Sequence, residues 1–379
     1  MMRAMPRLRT VALVWVTVLV LSGCSLFSAD TRQKPKLLEP LTPQNVAAPA
    51  WNQHIGAVKF PLTVATAGGA FTLGASDGTV LALAADTGRE LWRTNVGAAL
   101  SAGVGSDGRY TAVVTEAGDL VTLEAGQVKW KKPLGTRVAT APLVAGERVF
   151  VLGVDRSVQA FDALDGRKLW TLQRPGDPLT LAQTGVLAPF KNTLIVGQGP
   201  RLAGIDPLAG TVRWEVPVAS PRGANEVERL ADLIGPAARI GNALCARAFQ
   251  AAVGCVDADR GTLTWAKNFG GTDAVGGDAD YLFAADASDR MTAWKTDSGL
   301  VVWTSDALLY HRLSAPAALH DSVVYGDADG TLHWFSRAKG EAQLRLPTDG
   351  SAIDAPPVVS GDTLLAVTRN GGIYAFRAR

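Results

Sequence analysis

Cysteine and histidine are scarce in this chain of 379 residues: three cysteines, Cys24, Cys245 and Cys255, and four histidines, His54, His311, His320 and His333. No cysteine pair has a third thiol or a neighbouring histidine with which to hold zinc. The histidines show no ligand spacing and no carboxylate partner in a recognisable motif, so no metal site is expected. Charge of one sign is also missing. The chain has 37 Lys and Arg against 35 Asp and Glu, a formal net charge of +2 that becomes −1 without Arg3, Arg7 and Arg9. Near-neutrality offers no electrostatic footprint for nucleic acid or for adhesion to acidic lipid. No long stretch beyond the N-terminal leader shows helical periodicity. The chain also lacks a Gly-x-Ser-x-Gly elbow and a phosphate-binding loop. Gly103, Gly105 and Gly108 do read as GxGxxG, but the alternating run RYTAVVT follows where a dinucleotide site needs a helix, so they mark a strand turn.

One long apolar run is present. Thr10 to Leu21 follows the basic residues Arg3, Arg7 and Arg9, has signal-peptide length, and is short for a membrane span. Leu21-Ser22-Gly23-Cys24 comes next and resembles the lipobox of bacterial lipoproteins, in which the cysteine is acylated and the chain is cut before it. Residues 1–23 are therefore expected to be a lipoprotein signal, with Cys24 lipidated. Ser25, where an Asp would favour inner-membrane retention, implies the outer membrane by the same resemblance. Residues 24–50, rich in Pro and polar residues and without period 2 or 3.6, read as a flexible tether.

The remainder, 51–379, is longer than a single core comfortably supports, and a repeat resolves that. Gly-x-x-x-Trp recurs as GRELW (88–92), GQVKW (126–130), GRKLW (166–170), GTVRW (210–214), GTLTW (261–265) and GLVVW (299–303), and GEAQL ends in Leu344 at the same spacing. The tryptophans Trp92, Trp130, Trp170, Trp214, Trp265 and Trp303 lie 38 to 51 residues apart, the length of a four-stranded propeller blade. Short alternating strands such as TVLALAAD (79–86) and SVQAFDAL (157–164), separated by tight turns, precede each glycine. The glycine supplies an unusual backbone angle, and the tryptophan is large enough to wedge between blades. Asp86, Asp162, Asp206 and Asp257 recur at the turns, where a carboxylate can accept from the turn backbone.

The count of blades follows from the two ends. Residues 356–376 supply three strands, with an Asn-Gly turn at 370–371, and the chain stops before another Gly-x-x-x-Trp. WNQHIG (51–56) repeats the pattern that follows the other tryptophans, as in WRTNVG (92–97). Trp51 is therefore expected on the outer strand of the last blade, closing an all-β, eight-bladed propeller of four-stranded antiparallel blades. Cys245 and Cys255 face each other across a hairpin if the chain reverses near Gln250. An oxidising periplasm would join them as a disulfide, and two buried free thiols are the alternative.

FDALDGRKLW (161–170) and IDPLAGTVRW (205–214) resemble the tryptophan-docking repeat of quinoprotein dehydrogenases. Those enzymes carry pyrroloquinoline quinone in the central channel, usually with calcium and often with a vicinal disulfide. This chain has no adjacent cysteines and no insertions long enough for a substrate funnel, so an enzyme of that kind is the second reading. The full layout of lipobox, tether and eight docking-type blades resembles the BamB family of outer-membrane assembly lipoproteins. Two loops carry the resemblance, DPLTLAQTG (177–185) and GANEVERLADLIGPAARIG (223–241). It implies a non-enzymatic scaffold without a cofactor, lipid-anchored on the periplasmic face of the outer membrane. The implied partner is the set of periplasmic POTRA domains of BamA, with unfolded outer-membrane proteins as further candidates. Carried over by motif, Leu179, Leu181, Glu226, Arg229 and Asp232 would meet the partner. Ala182 and Gln183 stand where the family has Arg, and Ile234 stands where a second acid is expected.

Overall fold

In this computed structural model, which describes residues 33–174, 179–220 and 224–379, every sheet has four antiparallel strands and there are eight sheets. The chain has 32 strands among the described residues and no α-helix. Blade 1 is β2 to β5 (Ala65–Ala67, Ala70–Gly74, Thr79–Ala84, Glu90–Asn95). Six more sets of four follow in chain order. The last sheet reads β1-β32-β31-β30. Its outer strand β1 (Ala47–His54) comes from the start of the propeller and its inner strands, β30 (Val358–Ser360), β31 (Thr363–Val367) and β32 (Gly372–Ala378), come from its end. Trp51 pairs with Ala375, as the closure argument requires.

The tether boundary moves. β1 begins at Ala47 rather than at Trp51, and the chain is hydrogen-bonded earlier still. The Lys36 N–H donates to Leu309 O at 2.9 Å and the Gln44 N–H to Gln343 O at 2.8 Å, while Arg345 donates to Glu39 O at 2.7 Å. Residues 36–46 thus form a strap held by its own backbone on blade 7, because Pro-rich chain can still offer carbonyls and N–H groups to a neighbour.

No core occupies the centre of the ring. The buried apolar residues fall into clusters shared by neighbouring blades: Phe71 and Leu81 of blade 1 with Ile373 of blade 8, or Phe150 and Val158 of blade 3 with Val196 and Ile205 of blade 4. Each blade therefore buries most of its apolar surface against its two neighbours, which frees the architecture from the single-core size limit.

The repeat acquires its meaning at these interfaces. Each tryptophan ring lies on the motif glycine of the following blade: Trp51 on Gly88, Trp92 on Gly126, Trp130 on Gly166, Trp170 on Gly210, Trp214 on Gly261, Trp265 on Gly299 and Trp303 on Gly340. At Gly166, φ is +71° and an added Cβ would stand 2.6 Å from Trp130 Cδ2. The indole N–H of Trp130 then donates to Ala163 O at 2.9 Å. Trp51, Trp170, Trp265 and Trp303 repeat that bond, the last to Arg337 O at 2.8 Å. Leu344, in the one copy without tryptophan, packs in a cluster with Ala47. Ala47 sits four residues before Trp51, at the place of the motif glycine. The smaller side chain on one side of the seam thus accompanies the Cβ on the other.

The turn aspartates act locally, as expected. Asp162 accepts from Leu164 N–H at 2.9 Å and Asp257 from Asp259 N–H at 3.0 Å. Arg213 and two backbone N–H groups hold the Asp206 carboxyl below the usual range. Gly103 and Gly105 lie within β6 (Leu100–Ser106), and Gly108 lies in the turn to β7.

Cys245 and Cys255 are joined as a disulfide. They are directly opposed in β19 (Ala243–Ala248) and β20 (Ala252–Asp257), across a turn at Gln250 (φ +52°), and both are wholly buried beside Trp265 and Trp294. Replacing both cysteines with Ala is expected to lower stability by about 2–4 kcal/mol, read as a lower urea midpoint at unchanged m-value. An unchanged midpoint would show that the crosslink adds nothing beyond the hairpin.

Candidate partner-docking groove

Three consecutive blades build the groove on which the two loops meet. Arg156 sits at the turn between β11 (Arg148–Leu152) and β12 (Val158–Asp162) of blade 3. The Leu179–Val186 loop leads into β14 (Leu187–Phe190) of blade 4, and the 224–232 segment leads into β18 (Leu233–Ile240) of blade 5. Residues 177–178 and 223 of these loops, like Cys24 and the leader, lie outside the described residues.

Asp232 ties the three together. Its carboxylate accepts from Arg156 Nη2 at 3.1 Å and from the Leu181 N–H at 2.9 Å. Both members of the Arg156–Asp232 pair are 16 % exposed, so the pair is shielded more than a surface ion pair and carries charge-assisted hydrogen bonds. Around it the loops are laced by backbone: Gly235 N–H to Thr184 O at 2.8 Å and Leu233 N–H to Gly199 O at 2.9 Å. The Gly185 N–H donates to Thr140 Oγ1 at 2.8 Å. Asp232, expected from the resemblance as a contact residue, is turned inward here.

The 224–230 segment is a self-capped turn. Asn225 Oδ1 accepts from the Glu228 N–H at 2.9 Å. In return the Glu228 carboxylate accepts from Asn225 Nδ2 at 2.9 Å and from the Ala224 N–H at 2.7 Å. This reciprocal satisfaction follows the logic of a capping box, and the Asn-x-x-Glu spacing carries it in the sequence. The turn lifts Val227 to 71 % exposure, and Leu179 of the neighbouring loop is 37 % exposed. A groove of about 480 Å³ is walled by Leu179 together with Arg174, Arg201, Glu226, Arg229 and Leu230. On the far side of the turn a second hollow is lined by Val227, Leu230, Phe249 and Leu263.

Leu181 and Ile234 have other positions than a surface interface needs. Ile234 is 5 % exposed and clusters with Ala274 and Ala315, and Leu181 and Phe249 pack against that cluster. An acid at position 234 would be buried among apolar side chains, so the departure at Ile234 seats Leu181 rather than removing a surface charge. Ala182 and Gln183 are exposed.

The central channel bears on the quinoprotein reading. A cavity of about 630 Å³ opens there, lined by Phe60, Pro61, Leu62, Ile234, Pro236 and Ala274, with Lys59, Asp273, Asp354 and Arg369 among its charges. Asp354 is already bound by Arg369 at 2.8 Å. Burial pushes the Asp273 carboxyl up. Arg247, wholly buried nearby in sequence register of blade 5, donates to Ala285 O at 2.7 Å, and burial brings its guanidinium down to about 10. The disulfide is enclosed inside blade 5 and is not vicinal. A largely apolar wall with its acids paired or pushed toward neutrality does not match a calcium-bound, acidic quinone.

Sequence reasoning missed one set of side chains. The histidines, which have no carboxylate partner in any sequence motif, find one in the fold: His333 Nε2 lies 2.8 Å from Asp327 Oδ2, His311 Nδ1 lies 3.6 Å from the same oxygen, and His320 pairs with Asp362 at 3.0 Å. These pairs are 6, 16 and 42 positions apart along the chain, and only the fold brings them together.

Fold and site together define a class: tryptophan-docked propellers of the quinoprotein repeat type whose distinctive surface is loop-built. The family profile of outer membrane protein assembly factor BamB matches residues 76–305. The BamB of Bordetella pertussis is 36% identical over 374 residues, covering 97% of this chain and 96% of that protein. The chain belongs to the BamB family. The crystal structure of BamB from Moraxella catarrhalis superposes with a TM-score of 0.79 at 20% identity, covering 88% of this chain and 100% of that one. The quinohemoprotein alcohol dehydrogenase of Comamonas testosteroni shares the fold at a TM-score of 0.65 and 16% identity, covering 88% of this chain and 76% of that one.

Proposed function

We propose that this protein is a non-enzymatic scaffold on the periplasmic face of the outer membrane. It is anchored through a lipidated Cys24 and binds the POTRA domains of BamA, assisting assembly and insertion of β-barrel proteins. The observation that carries the reading is a pair of hollows formed around the 224–230 turn, one walled by Leu179 and the other by Val227. Both apolar side chains are held out by loops tied down by hydrogen bonds of their own, and that rigidity lowers the ordering cost of binding. Glu226 and Arg229 supply a polar rim of both signs beside Leu179. The twelve residues from Cys24 to Lys36 span at most about 40 Å when extended, which limits how far the propeller can stand from its anchor.

Full-length protein in detergent should capture the periplasmic region of BamA, and Leu179→Ala should weaken capture about tenfold, the scale of one anchor residue of roughly 1.4 kcal/mol. Unchanged capture with both Leu179→Ala and Val227→Ala would rule out these two hollows as the docking surface. Saturable dye reduction after addition of pyrroloquinoline quinone and calcium would sink the scaffold reading itself.

A further inference from the structure

Blade 7 differs from its neighbours at the turn between β27 (Ser322–Gly326) and β28 (Thr331–Ser336). Asp327 there is 2 % exposed, and it lies against two histidines, His311 at 7 % and His333 at 1 %. One carboxylate oxygen is committed to the turn, accepting from the Asp329 N–H at 3.0 Å and the Thr331 N–H at 2.8 Å. The other, Oδ2, faces both imidazoles.

The tautomer of His311 is set from outside. Its Nε2 lies 2.9 Å from Lys36 O, and a carbonyl can only accept, so Nε2 carries the proton. In the neutral ring, Nδ1 then presents a lone pair to a carboxylate oxygen 3.6 Å away. Two buried acceptors facing each other call for positive charge between them, supplied either by a proton on Nδ1, which the Asp327 carboxylate favours by raising the imidazole above its usual range, or by a bound ion. At 3.6 Å such a proton makes an ion pair but not a full hydrogen bond. The distance suits two ligands of one tetrahedral ion, whose donor atoms at about 2.0–2.1 Å from the metal lie about 3.3 Å apart. Neither His311 Nδ1 nor His333 Nδ1 has a hydrogen-bond partner. Donor atoms of His311, Asp327 and His333 all lie within 4.8 Å of one another.

The geometry points to a binding site for a zinc-class divalent ion formed by His311 Nδ1, Asp327 Oδ2 and His333 Nε2, with a fourth position for water. Two imidazoles and one carboxylate are the donor set that such ions favour over calcium or magnesium. His311 also has the outer partner expected of a ligand: a ligating histidine commonly donates its other N–H to a backbone carbonyl, here that of Lys36, whereas His333 Nδ1 has no such partner. The Asp327–His333 contact of 2.8 Å is now a hydrogen bond, so the ion displaces that proton and the pair opens by about half an ångström to reach ligand spacing.

The consequence reaches the N-terminal strap. Lys36 is held by His311, by Leu309 through its own N–H and by Asp306 through its ammonium at 3.0 Å. An ion that fixes the His311 ring fixes the carbonyl it holds, and so the point at which the chain from residue 24 joins the propeller. None of the three residues lies in the BamA-facing groove, so the inference stands apart from the proposed function.

The test uses tag-free, full-length protein stripped with chelator and titrated with Zn2+ at pH 7.5, with Co2+ as the spectroscopic probe. The site predicts one equivalent of Zn2+, intense visible Co2+ bands of a four-coordinate ion, and slower deuterium exchange at residues 36–46 on loading. His311→Gln, which can still donate to Lys36 O, and Asp327→Asn should each weaken binding at least tenfold, with circular dichroism confirming that both variants fold. Absence of stoichiometric binding at micromolar Zn2+ overturns the proposal. So does equal binding by wild type and both variants, which would place the ion elsewhere, for example at the exposed His320–Asp362 pair. Stabilisation that depends on pH but not on added metal also overturns it, assigning the cluster to a protonated His–Asp–His set.

Discussion

Gly166→Ala is expected to destabilise the propeller by about 2–5 kcal/mol, while Gly97→Ala costs only about 1–2 kcal/mol. Both glycines have positive φ, +71° and +77°, and both substitutions therefore carry the left-handed backbone cost of roughly 1–2 kcal/mol. Only at Gly166 does the new Cβ also meet an indole, 2.6 Å from Trp130 Cδ2; nothing lies within 4 Å of a Cβ at Gly97. Overpacking adds about 1–3 kcal/mol. Trp130→Ala should cost about 3–5 kcal/mol, the range for deleting a large buried aromatic. In that background Gly166→Ala should fall back to its backbone cost alone, a coupling that a double-mutant cycle measures. Urea midpoints at constant m-value provide the readout. Equal costs at Gly97 and Gly166 would show that the tryptophan does not press on the glycine, and the docking account of the repeat would fail.

The second large effect concerns Asp232. Asp232→Ala should weaken BamA capture at least as much as Leu179→Ala, even though the carboxylate is turned toward Arg156 and the Leu181 N–H. Removing it leaves the Arg156 charge and a backbone donor without that acceptor, at a cost of about 1.5–3 kcal/mol for a hydrogen bond involving a charged group. The Leu179–Val186 loop then loses its hold on blade 5. A positioning role and a contact role separate in the kinetics. Positioning predicts a faster k_off with an unchanged salt dependence of k_on, and partial rescue by Asp232→Asn, which keeps an acceptor for Leu181. A direct charge contact predicts a flatter salt dependence of k_on and no rescue. If Asp232→Ala binds as the wild type does, neither role stands.

How far the sequence could be read depended on how far apart the interacting residues lie. The ring was legible because one spacing recurs: Gly-x-x-x-Trp sets the outer strand of each blade, and WNQHIG at 51–56 is enough to assign β1 to the last sheet. Periodicity exposes an interface that is made many times over, since each copy must solve the same packing problem. The disulfide was legible as a possibility, because a short hairpin around Gln250 leaves few registers, but the choice of Cys245 opposite Cys255 belongs to the sheet.

The groove and the histidine cluster were legible only in part. The resemblance marked Leu179, Leu181 and Asp232 without revealing that Asp232 lies 51 residues from the N–H it accepts and acts through it. Ile234 looked like a missing charge until burial against Ala274 and Ala315 made it a packing residue. The strap of residues 36–46 read as tether because its bonds are to blade 7, roughly 270 to 310 residues away, where no local pattern records them.

Sequence alone thus determined the period, the number of blades and the seam at Trp51, since all of these are set by local chain geometry repeated in register; that each indole lies on the glycine of the following blade came from the packing of the blades. Tertiary structure alone decided which polar groups meet: Asp232 with Arg156, His311 with Asp327 and with Lys36. Each of these contacts occurs once and spans separate blades or hairpins. A buried charge or donor must find a partner wherever the fold provides one, and the linear spacing of such partners carries no signal.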